Sequence, residues 1–355
     1  MFVAGTPRAW RCHCRPRNVA SRRPPETIAH ARKRRALFCA SAQDAGRGGK
    51  ELWPKSKLLL DVRDAVAFER CHVANAVSFP LRELEQRAFE LPPPYTPARI
   101  VICGESIAQV EHAVLFLTAK GWQCDVRECL LLGTDEASAF SRFKTETGRC
   151  TAVVWRPNEF LEQLFSSGPL PLSAYLRAEQ QKLTEAPVAL DLGCGSGRDL
   201  VFLKMHLPGR WRVMGFDNHS YALERAKALA QRASVDVEVC TVDLTDELQA
   251  ARLPKAHLVH GCRFLHRPLL RHVRDHVIHV GGIFIWSTFV QSAESARNMA
   301  PPYKEKRVLA PGELREMFLV PSLHVQYELI EERDGVFLTR GVPVPATFFA
   351  CRRVR

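Results

Sequence analysis

The stretch VALDLGCGSGRDL, Val188 to Leu200, decides the fold. An apolar run ends in an acid, and Gly193, Gly195 and Gly197 then alternate with other residues before the pattern becomes helical. Because glycine has no Cβ, a strand that turns into a helix here leaves bare backbone against which a ligand can lie. The glycines are closer together than in the G-x-G-x-x-G of dinucleotide sites. Asp191, two residues before the first glycine, repels a pyrophosphate and favours an ammonium group.

Two further acids follow segments that are expected to be the next strands. Asp217 ends the second strand, twenty residues after Gly197, and Asp243 follows the third. A carboxylate at the end of the second strand can accept both hydroxyls of a ribose. Each acid alone also suits a helix cap or a loop. Together with the glycine turn, they predict one crevice at the carboxyl edge of a parallel sheet.

Alternating strands and helices predict a doubly wound α/β domain over residues 151–355. The apolar runs predict strands over 188–192, 211–217, 235–242, 258–264, 283–289, 324–331 and 346–352. The amphipathic segments predict helices over 198–207, 220–233, 268–279 and 311–318. Asp334-Gly335 and Pro343 to Pro345 are expected to form the turns that separate the last two strands.

The motifs LDLGCGSGRD, RFLHRPLL and EKRVLAPGEL resemble class I S-adenosylmethionine-dependent methyltransferases, in particular the tellurite-resistance and thiopurine types that act on small molecules. The resemblance implies a Rossmann-like seven-stranded sheet with an antiparallel edge hairpin, and S-adenosyl-L-methionine as cofactor. One departure is His257, where the fourth strand usually begins with an acid; we expect it to alter local capping only. The cofactor-binding residues that the resemblance implies are Asp191 for the ammonium group, Gly193, Cys194, Gly195 and Gly197 for the methionyl part, Asp217 and Asn218 for the ribose, Asp243 and Leu244 for the adenine, and Cys262 through its backbone.

The methyl acceptor is indicated by the residues after the fourth strand. Gly261-Cys262-Arg263-Phe264 stands where an Asn-Pro-Pro-Tyr motif would suit amino groups of nucleobases, so adenine or glutamine methylation is disfavoured. Arg263, His266 and Arg267 can bind an anionic or thiolate substrate, with His266 as a base. Alternatively, His266 caps the next helix and the arginines are solvated. We expect methyl transfer to a small soft or anionic acceptor, such as a thiol, sulfide or chalcogen oxyanion. The alternatives are a non-catalytic cofactor-sensing or assembly protein and an organellar RNA methyltransferase.

The segment LLDVRDAVAFERCHVANAVSFPL resembles the rhodanese (sulfurtransferase) domain, and the α/β pattern around it predicts a small parallel domain over residues 51–150. The resemblance places the reactive cysteine at Cys103, where backbone N–H groups at a helix N-terminus stabilise a thiolate. The loop CGESIAQ lacks the usual arginine, near whose position Gln109 stands, and Glu105 adds a negative charge beside the thiol. We expect a degenerate domain used for packing or binding; the alternative is a sulfurtransferase that acts through Cys103.

Most of the net charge lies in the first 50 residues. The chain has a formal charge of +12, and residues 1–50 carry twelve basic residues against Glu26 and Asp44, which leaves only +2 for residues 51–355. A nucleic-acid partner is therefore not expected. The basic arm resembles a transit peptide for a chloroplast or mitochondrion. The alternative is a disordered basic tail on a cytoplasmic protein.

Cysteine spacing and hydropathy exclude other classes. The twelve cysteines form no Cys-x-x-Cys pair, and Cys12 and Cys14 around His13 are more typical of chance than of a zinc site, so no metal is expected. Scattered single cysteines on apolar stretches indicate a reducing compartment without disulfides. No apolar run approaches the ~18 residues of a membrane span, so no membrane partner is expected. The sequence does not specify an oligomeric state.

Overall fold

A computed structural model describes residues 57–132, 140, 142–149, 153–168, 172–292 and 308–355. All of them fall in one compact unit, Gly49–Arg355. The basic arm 1–50, and with it the predicted transit peptide, lies outside the described residues. Among the helices in the described ranges, none is long and apolar enough to cross a membrane.

The first part of the unit is a small, mostly parallel sheet with helices on it. Its strands are β1 (Lys57–Asp61), β2 (His72–Val73), β3 (Val77–Ser78), β4 (Arg99–Gly104), β5 (Gln123–Cys124), β6 (Leu130–Leu131) and β7 (Thr145–Glu146). Its helices are α1 (Ala65–Arg70), α2 (Leu84–Arg87) and α3 (Ile107–Ala119), with short 3₁₀ turns at Leu81–Glu83, Ala88–Glu90 and Val126–Glu128. The sheet order is β3-β1-β4-β5, β6 also pairs with β4, and β2 pairs antiparallel with β7. Strand β4 is buried from Ile100 to Gly104, with one apolar cluster on each side of the sheet, as expected of a central parallel strand.

The second part is a seven-stranded sheet between two layers of helices. Its strands are β8 (Val188–Leu192), β9 (Arg212–Asp217), β10 (Glu238–Thr241), β11 (Ala256–Cys262), β12 (Ile278–Phe289), β13 (Tyr327–Thr339) and β14 (Val342–Arg353). Its helices are α4 (Glu159–Ser166), α5 (Leu172–Gln181), α6 (Arg198–His206), α7 (Ser220–Arg232), α8 (Glu247–Ala250), α9 (Arg267–His272), which continues into a π-helical turn at Val273–Val277, and α10 (Glu313–Leu319).

The strand order is β10-β9-β8-β11-β12-β14-β13. Strands β8 to β12 pair in parallel, and β14 is antiparallel to both β12 and β13. The chain runs outward from β8 to β10 and then returns to place β11 on the other side of β8. This reversal is the topological switch point at which doubly wound sheets bind ligands. The predicted α/β class, the doubly wound seven-stranded sheet and the antiparallel edge hairpin are confirmed.

The edge hairpin differs from the prediction in its turn. Asp334-Gly335, expected to be a turn, lies inside β13, and the real connection is Arg340-Gly341, both with positive φ (52° and 81°), as a two-residue hairpin turn requires. Gly335 serves packing, since a Cβ there would lie 2.9 Å from Cε2 of Phe348.

The turn predicted at Pro343 to Pro345 is also absent, because these residues lie inside β14. Pro345 O accepts the N–H of Val290, so the proline nitrogen faces the β12 side, where β12 has ended. Pro343 is two residues away on the same strand, so its nitrogen also faces away from β13. Neither proline therefore removes a hydrogen bond to β13.

The region around β11 and β12 departs from the prediction in two details. The helix expected over 268–279 ends its α-helical part at His272, and β12 begins at Ile278, so the Gly281-Gly282 pair lies within the strand. At the start of β11, His257 Nδ1 accepts the N–H of Val188 at 3.3 Å. Burial lowers the pKa of His257 to about 4, which keeps that nitrogen an acceptor. His257 thus caps the backbone N–H of Val188, at the start of the neighbouring strand β8.

The packing of Gly261 against Trp286 gives a test of the sheet. The two residues are directly paired on β11 and β12, and a Cβ at 261 would lie 2.3 Å from Cη2 and Cζ3 of the indole. We predict that Gly261→Ala destabilises the protein by about 3 kcal/mol, because the overpacked core must shift. In a Trp286→Phe background, where the clashing ring is gone, the same substitution should cost much less, as measured by denaturant unfolding. An equal cost in both backgrounds would contradict this packing.

Candidate functional site

The glycine turn joins β8 to α6 at the switch point. The N–H groups of Gly193 and Cys194 both donate to Phe216 O, at 2.8 and 3.1 Å, which ties the turn to the neighbouring strand β9. Gly193, Gly195 and Gly197 have φ of 75°, 52° and 81°, in the left-handed region that favours glycine. These values explain why the turn contains glycine at all three positions.

The three glycines face different surroundings. A Cβ on Gly197 would lie 2.6 Å from Cβ of Ala226 on α7, and one on Gly193 would lie 3.2 Å from Phe264. A Cβ on Gly195 would meet no atom within 4 Å. Two glycines therefore allow close packing, and Gly195 presents bare backbone to open space.

That open space is a cavity of about 950 Å³, here called the main cavity. It lies between the glycine turn, the end of β11, the edge hairpin and a segment of the first domain. Its lining includes Leu91, Pro92, Pro93, Tyr95, Thr96, Pro97 and Ala98 from the first domain, Asn158, Asp191, Gly193 to Asp199, Cys262 and Arg263 from around the turn, and Phe337, Leu338 and Phe348 from the hairpin.

Asp191 lines the main cavity through a buried pair with His260. The two residues are paired across β8 and β11, and His260 Nδ1 donates to Asp191 Oδ1 at 2.8 Å. Asp191 is 2% exposed and His260 is fully buried. Within the described residues, Asp191 Oδ2 and His260 Nε2 have no hydrogen-bond partner; the latter lies 3.9 Å from Asp199 Oδ2. Asp191 thus belongs to the lining of the main cavity, with one oxygen bonded to His260 and the other without a partner among the described residues.

The pKa values of this pair move in the same direction. Burial raises the pKa of Asp191. For His260, burial opposes the charge, but the hydrogen bond and the charge of Asp191 outweigh it and raise the pKa. The imidazolium form is therefore favoured beside the carboxylate. His260 was not predicted as a site residue, although it is a polar residue inside the apolar segment AHLVHGC.

Asp217 supports the glycine turn. Its Oδ2 accepts the N–H of Gly195 and its Oδ1 accepts the N–H of His219, both at 2.9 Å. The carboxylate therefore fixes the backbone that faces the main cavity. Each oxygen keeps a second lone pair for a further donor. Asn218, the next residue, is exposed.

Asp243 and Leu244 follow the neighbouring strand β10. Asp243 Oδ1 accepts the hydroxyl and the N–H of Thr245, and these bonds lower the pKa of Asp243. Leu244 is buried. Asp217 and Asp243 are close along the sheet edge because Val242 N–H donates to Asp217 O. Asp191 and the glycine turn line the main cavity, whereas Asp217, Asn218, Asp243 and Leu244 lie beyond its lining.

Cys262, at the end of β11, lines the main cavity, and its thiol makes a hydrogen bond. Its Sγ accepts a hydrogen bond from Asn158 Nδ2 at 3.2 Å, and burial raises its pKa. Asn158 N–H donates to Asp199 Oδ1 at 2.6 Å, and Ser287 Oγ donates to Asn158 Oδ1 at 3.4 Å. Asn158, the N-cap residue of α4, thereby contacts α6, β11 and β12. It was not predicted, because the sequence before α4 has no motif that marks it.

The cluster predicted after β11 is divided by the structure. Arg263 lines the main cavity; it has φ of 56°, its guanidinium lies 4.6 Å from the centre of the Phe337 ring, and it donates to Leu338 O at 3.3 Å. His266 is the N-cap residue of α9 but makes no side-chain capping bond, and it lines a separate cavity of about 310 Å³. Arg267 forms an ion pair with Glu313. Only Arg263 of the three lines the main cavity.

Cys103 is the residue at which the rhodanese resemblance places the nucleophile. It lies within β4, is fully buried, and its Sγ is 3.8 Å from Asp61 Oδ2. Burial, and after it the charge of Asp61, raise the pKa of the thiol well above its usual value. Arg63 lies close by, but its guanidinium is in an ion pair with Asp61 at 2.7 Å.

Gln109 fills the loop that follows Cys103. Its Nε2 donates to Val62 O at 3.0 Å and its Oε1 accepts the N–H of Glu105 at 2.8 Å. One of the backbone donors that an active loop would direct at a thiolate is therefore used by this side chain. No group of three or more His, Cys, Asp or Glu side chains within the described ranges could hold a metal ion.

The Asp191–His260 pair gives a pH-dependent prediction. Because His260 has a raised pKa in the folded state, its stabilising contribution is complete below its usual value of 6.5 and is lost as the pH rises through the folded pKa. The raised pKa of Asp191 acts with the same sign. Asp191→Asn should therefore destabilise the protein by about 3 kcal/mol at pH 6 and by clearly less at pH 8.5.

The measurement is denaturant unfolding at both pH values. Asp236→Asn, at an exposed position, serves as the control and should show no such pH dependence. A cost of Asp191→Asn that is constant or larger at pH 8.5 would contradict the pairing.

Comparison with known proteins agrees with this geometry. Residues 189–278 match the family model of the methyltransferase domain, and residues 47–129 match that of the rhodanese-like domain. No curated protein matches the chain. Similar solved structures include TehB from Haemophilus influenzae (TM-score 0.39, 15% identity, covering 54% of this chain and 66% of that one) and YcgJ from Bacillus subtilis (0.36, 14%, 50% and 97%).

A third is geranyl diphosphate C-methyltransferase from Streptomyces coelicolor, in complex with Mg²⁺, geranyl diphosphate and S-adenosyl-L-homocysteine (TM-score 0.37, 15% identity, covering 52% of this chain and 81% of that one). The strand order, the glycine turn and the two family matches lead to one conclusion. The chain contains a methyltransferase domain, and a rhodanese-like domain precedes it.

Proposed function

We propose that the chain transfers the methyl group of S-adenosyl-L-methionine to a small soft or anionic acceptor, such as a thiol, sulfide or chalcogen oxyanion. The observation that carries the cofactor assignment is the buried Oδ2 of Asp191, which has no partner among the described residues and belongs to a residue that lines the main cavity. A buried carboxylate oxygen without a donor is costly. An ammonium group in the cavity would satisfy it.

The residues around the turn fit this cofactor. Asp191 would hold the ammonium group, and the bare backbone at Gly195 would admit the methionyl part. Asp217, already bonded to Gly195 N–H, keeps lone pairs for ribose hydroxyls, and Asp243 with Leu244 would hold the adenine. The bound cofactor supplies an electrophilic methyl group on a sulfonium. The chain then has to place a nucleophile in line with it, for which orientation contributes more than a strong base.

The residues available to the acceptor favour an anion. Arg263 lines the main cavity and its guanidinium is held in place by Phe337 and Leu338 O. His266 lines the other cavity, so the proposal assigns it no role as a base. A thiol or sulfide acceptor needs none, because a large enough fraction is deprotonated near neutral pH.

We also infer that the rhodanese-like domain does not transfer sulfur. A nucleophilic cysteine must be an accessible thiolate. The burial of Cys103, the carboxylate of Asp61 beside it and the Gln109 side chain in the loop all oppose that state. The domain therefore serves packing or binding.

Two further parts of the proposal concern partners and location. The charge of only +2 on residues 51–355 supports a small-molecule partner over a nucleic acid. Direction of the chain to a chloroplast or mitochondrion by the basic arm is proposed from composition alone. Sequencing of the mature N-terminus from cells would test it.

A matched pair of glycine substitutions tests cofactor binding. Gly195 and Gly312 both have positive φ, and a Cβ at either meets nothing within 4 Å, but only Gly195 lines the main cavity. Ala at either position should cost about 1 kcal/mol of stability. Calorimetry should show that Gly195→Ala weakens binding of S-adenosylmethionine at least tenfold, whereas Gly312→Ala leaves it unchanged. Similar affinities for the two variants would reject the assignment of the turn.

Transfer of a labelled methyl group tests the acceptor. Purified protein is incubated with methyl-labelled S-adenosylmethionine and a panel of thiols, sulfide, selenite and tellurite. We expect labelled product from a member of the panel and a tenfold or greater loss of the rate in Arg263→Gln when the acceptor is an anion. Cofactor binding without transfer to any panel member would defeat the acceptor class and leave the cofactor assignment intact.

The inference on sulfur transfer has its own test. We predict that thiosulfate–cyanide sulfurtransferase activity stays at background and does not change in Cys103→Ala. In the native protein, iodoacetamide should modify the partly exposed Cys71 and leave Cys103 unmodified, because burial raises the pKa of Cys103. Activity that disappears in Cys103→Ala would show the domain to be an active sulfurtransferase.

A further inference from the structure

A proline-rich segment of the rhodanese-like domain lies against the methyltransferase domain. The segment LPPPYTPA, residues 91–98, connects the 3₁₀ turn Ala88–Glu90 to β4 and is here called the proline wall. All of its residues except Pro94 line the main cavity. One side of the cavity beside the glycine turn is therefore supplied by the other domain.

Tyr95 fixes the proline wall to the edge hairpin. Its hydroxyl donates to Leu338 O at 2.8 Å, and a Cβ on Gly341 would lie 3.3 Å from Cβ of Tyr95. Leu338 O also accepts from Arg263 Nη2 at 3.3 Å. A single carbonyl thus joins the proline wall and the arginine of the proposed acceptor site.

Contacts just before the proline wall hold the two domains together. Glu90, which is buried, forms ion pairs with Arg87 of its own domain and Arg232 of α7. Phe89 packs against the apolar cluster of the methyltransferase domain, with the Arg225 guanidinium 5.4 Å from the centre of its ring.

The proline wall is also held by a residue of its own domain. Trp122 Nε1 donates to Pro92 O at 2.6 Å. Proline fixes its own φ, so a segment with four prolines in eight residues loses little further freedom when a ligand binds. The wall is therefore a preformed surface.

The main cavity combines an apolar surface with three arginine side chains. The apolar side consists of side chains from both domains: Phe89, Leu91, Pro92, Pro93, Pro97, Phe337 and Phe348. Arg156, Arg198 and Arg263 also line the cavity, and no ion pair to any of them is found within the described residues. Three acids also belong to the lining: Asp191 is bonded to His260, Asp199 accepts the N–H of Asn158, and Glu159 is exposed, as the three arginines are.

We propose that the proline wall and the edge hairpin bind the acceptor, and that this acceptor is an organic anion with an apolar body that carries the methyl-accepting atom. The proposal rests on the proposed function and narrows its acceptor class. The cavity of about 950 Å³ is near the upper end of the ~300–1,000 Å³ range of small-molecule sites. The methionyl part of the cofactor would take the side at Asp191 and the glycine turn, which leaves the side at the proline wall and the hairpin for the acceptor. Sulfide or a chalcogen oxyanion would leave most of the apolar lining uncovered. An organic anion covers it and places its charge near the arginines.

The experiment measures binding to the full chain in the presence of S-adenosylhomocysteine, so that no turnover occurs. The probes are 4-(mercaptomethyl)benzoate and benzyl mercaptan, which differ by the carboxylate. Two variants alter the proline wall: Tyr95→Ala removes its contact with Leu338 O, and Ala98→Trp fills the cavity. Arg263→Gln removes a cation, and Tyr221→Ala and Arg177→Gln are controls at exposed positions outside the main cavity.

We expect calorimetry to show at least tenfold weaker binding of both probes to Tyr95→Ala and Ala98→Trp. Arg263→Gln should lose at least fivefold for the carboxylate probe and less than twofold for benzyl mercaptan. The controls should stay within twofold of wild type, and every variant should bind S-adenosylhomocysteine as wild type does.

Two results would overturn the inference: no binding of either probe to wild type, or wall variants that bind both probes as tightly as wild type. In either case, intact binding of S-adenosylmethionine would show that the proposed function survives. A wild-type chain that binds neither S-adenosylmethionine nor S-adenosylhomocysteine would instead defeat the proposed function.

Discussion

The passage from β8 into α6 is the constraint on which the site depends. The chain must reverse direction at the switch point within a few residues, and it does so with three left-handed glycines. The N–H of Gly193 donates to Phe216 O, that of Gly195 to Asp217 and that of Gly197 to Cys194 O. Gly197 allows α6 to approach α7, so the helix starts directly beside the sheet. As a result, the backbone at Gly195 faces the main cavity without a side chain. The position of every other group is defined relative to this edge.

The Asp191–His260 pair adds an electrostatic element across the same point. A carboxylate buried to this degree needs a cationic or hydrogen-bonding partner, and His260 supplies it from the adjacent strand. His260 engages only one oxygen, and the other has no hydrogen-bond partner among the described residues. The hydrogen bond orients the carboxylate, and the charge of the imidazolium opposes the effect of burial on its ionisation. The rhodanese-like domain complements this arrangement from outside, since its proline wall lines the same cavity while its own Cys103 is buried.

The sequence was sufficient for features that depend on local patterns. The glycine turn and the order of strands and helices follow from residues that are neighbours in the chain, and the structure reproduces them. The prediction of a turn at Asp334-Gly335 was wrong. The dipeptide is typical of hairpin turns, but both residues lie inside β13, where Gly335 packs against Phe348. His260 and Asn158 were missed because their partners lie 69 and 104 residues away in the sequence. Arg263 and His266 were predicted to lie in one cluster. They are only three residues apart in the sequence, but in the structure they line different cavities.

The central claim is that the unpartnered oxygen of Asp191 and the bare backbone at Gly195 form the binding site of a sulfonium nucleoside. A crystal structure of the full chain with S-adenosylhomocysteine tests it most directly. The account predicts the amino group of the ligand within hydrogen-bond distance of Asp191 Oδ2, its chain along Gly193 to Gly197 and its ribose at Asp217. A ligand bound elsewhere, or an Asp191 carboxylate that contacts only protein atoms in the complex, would contradict it.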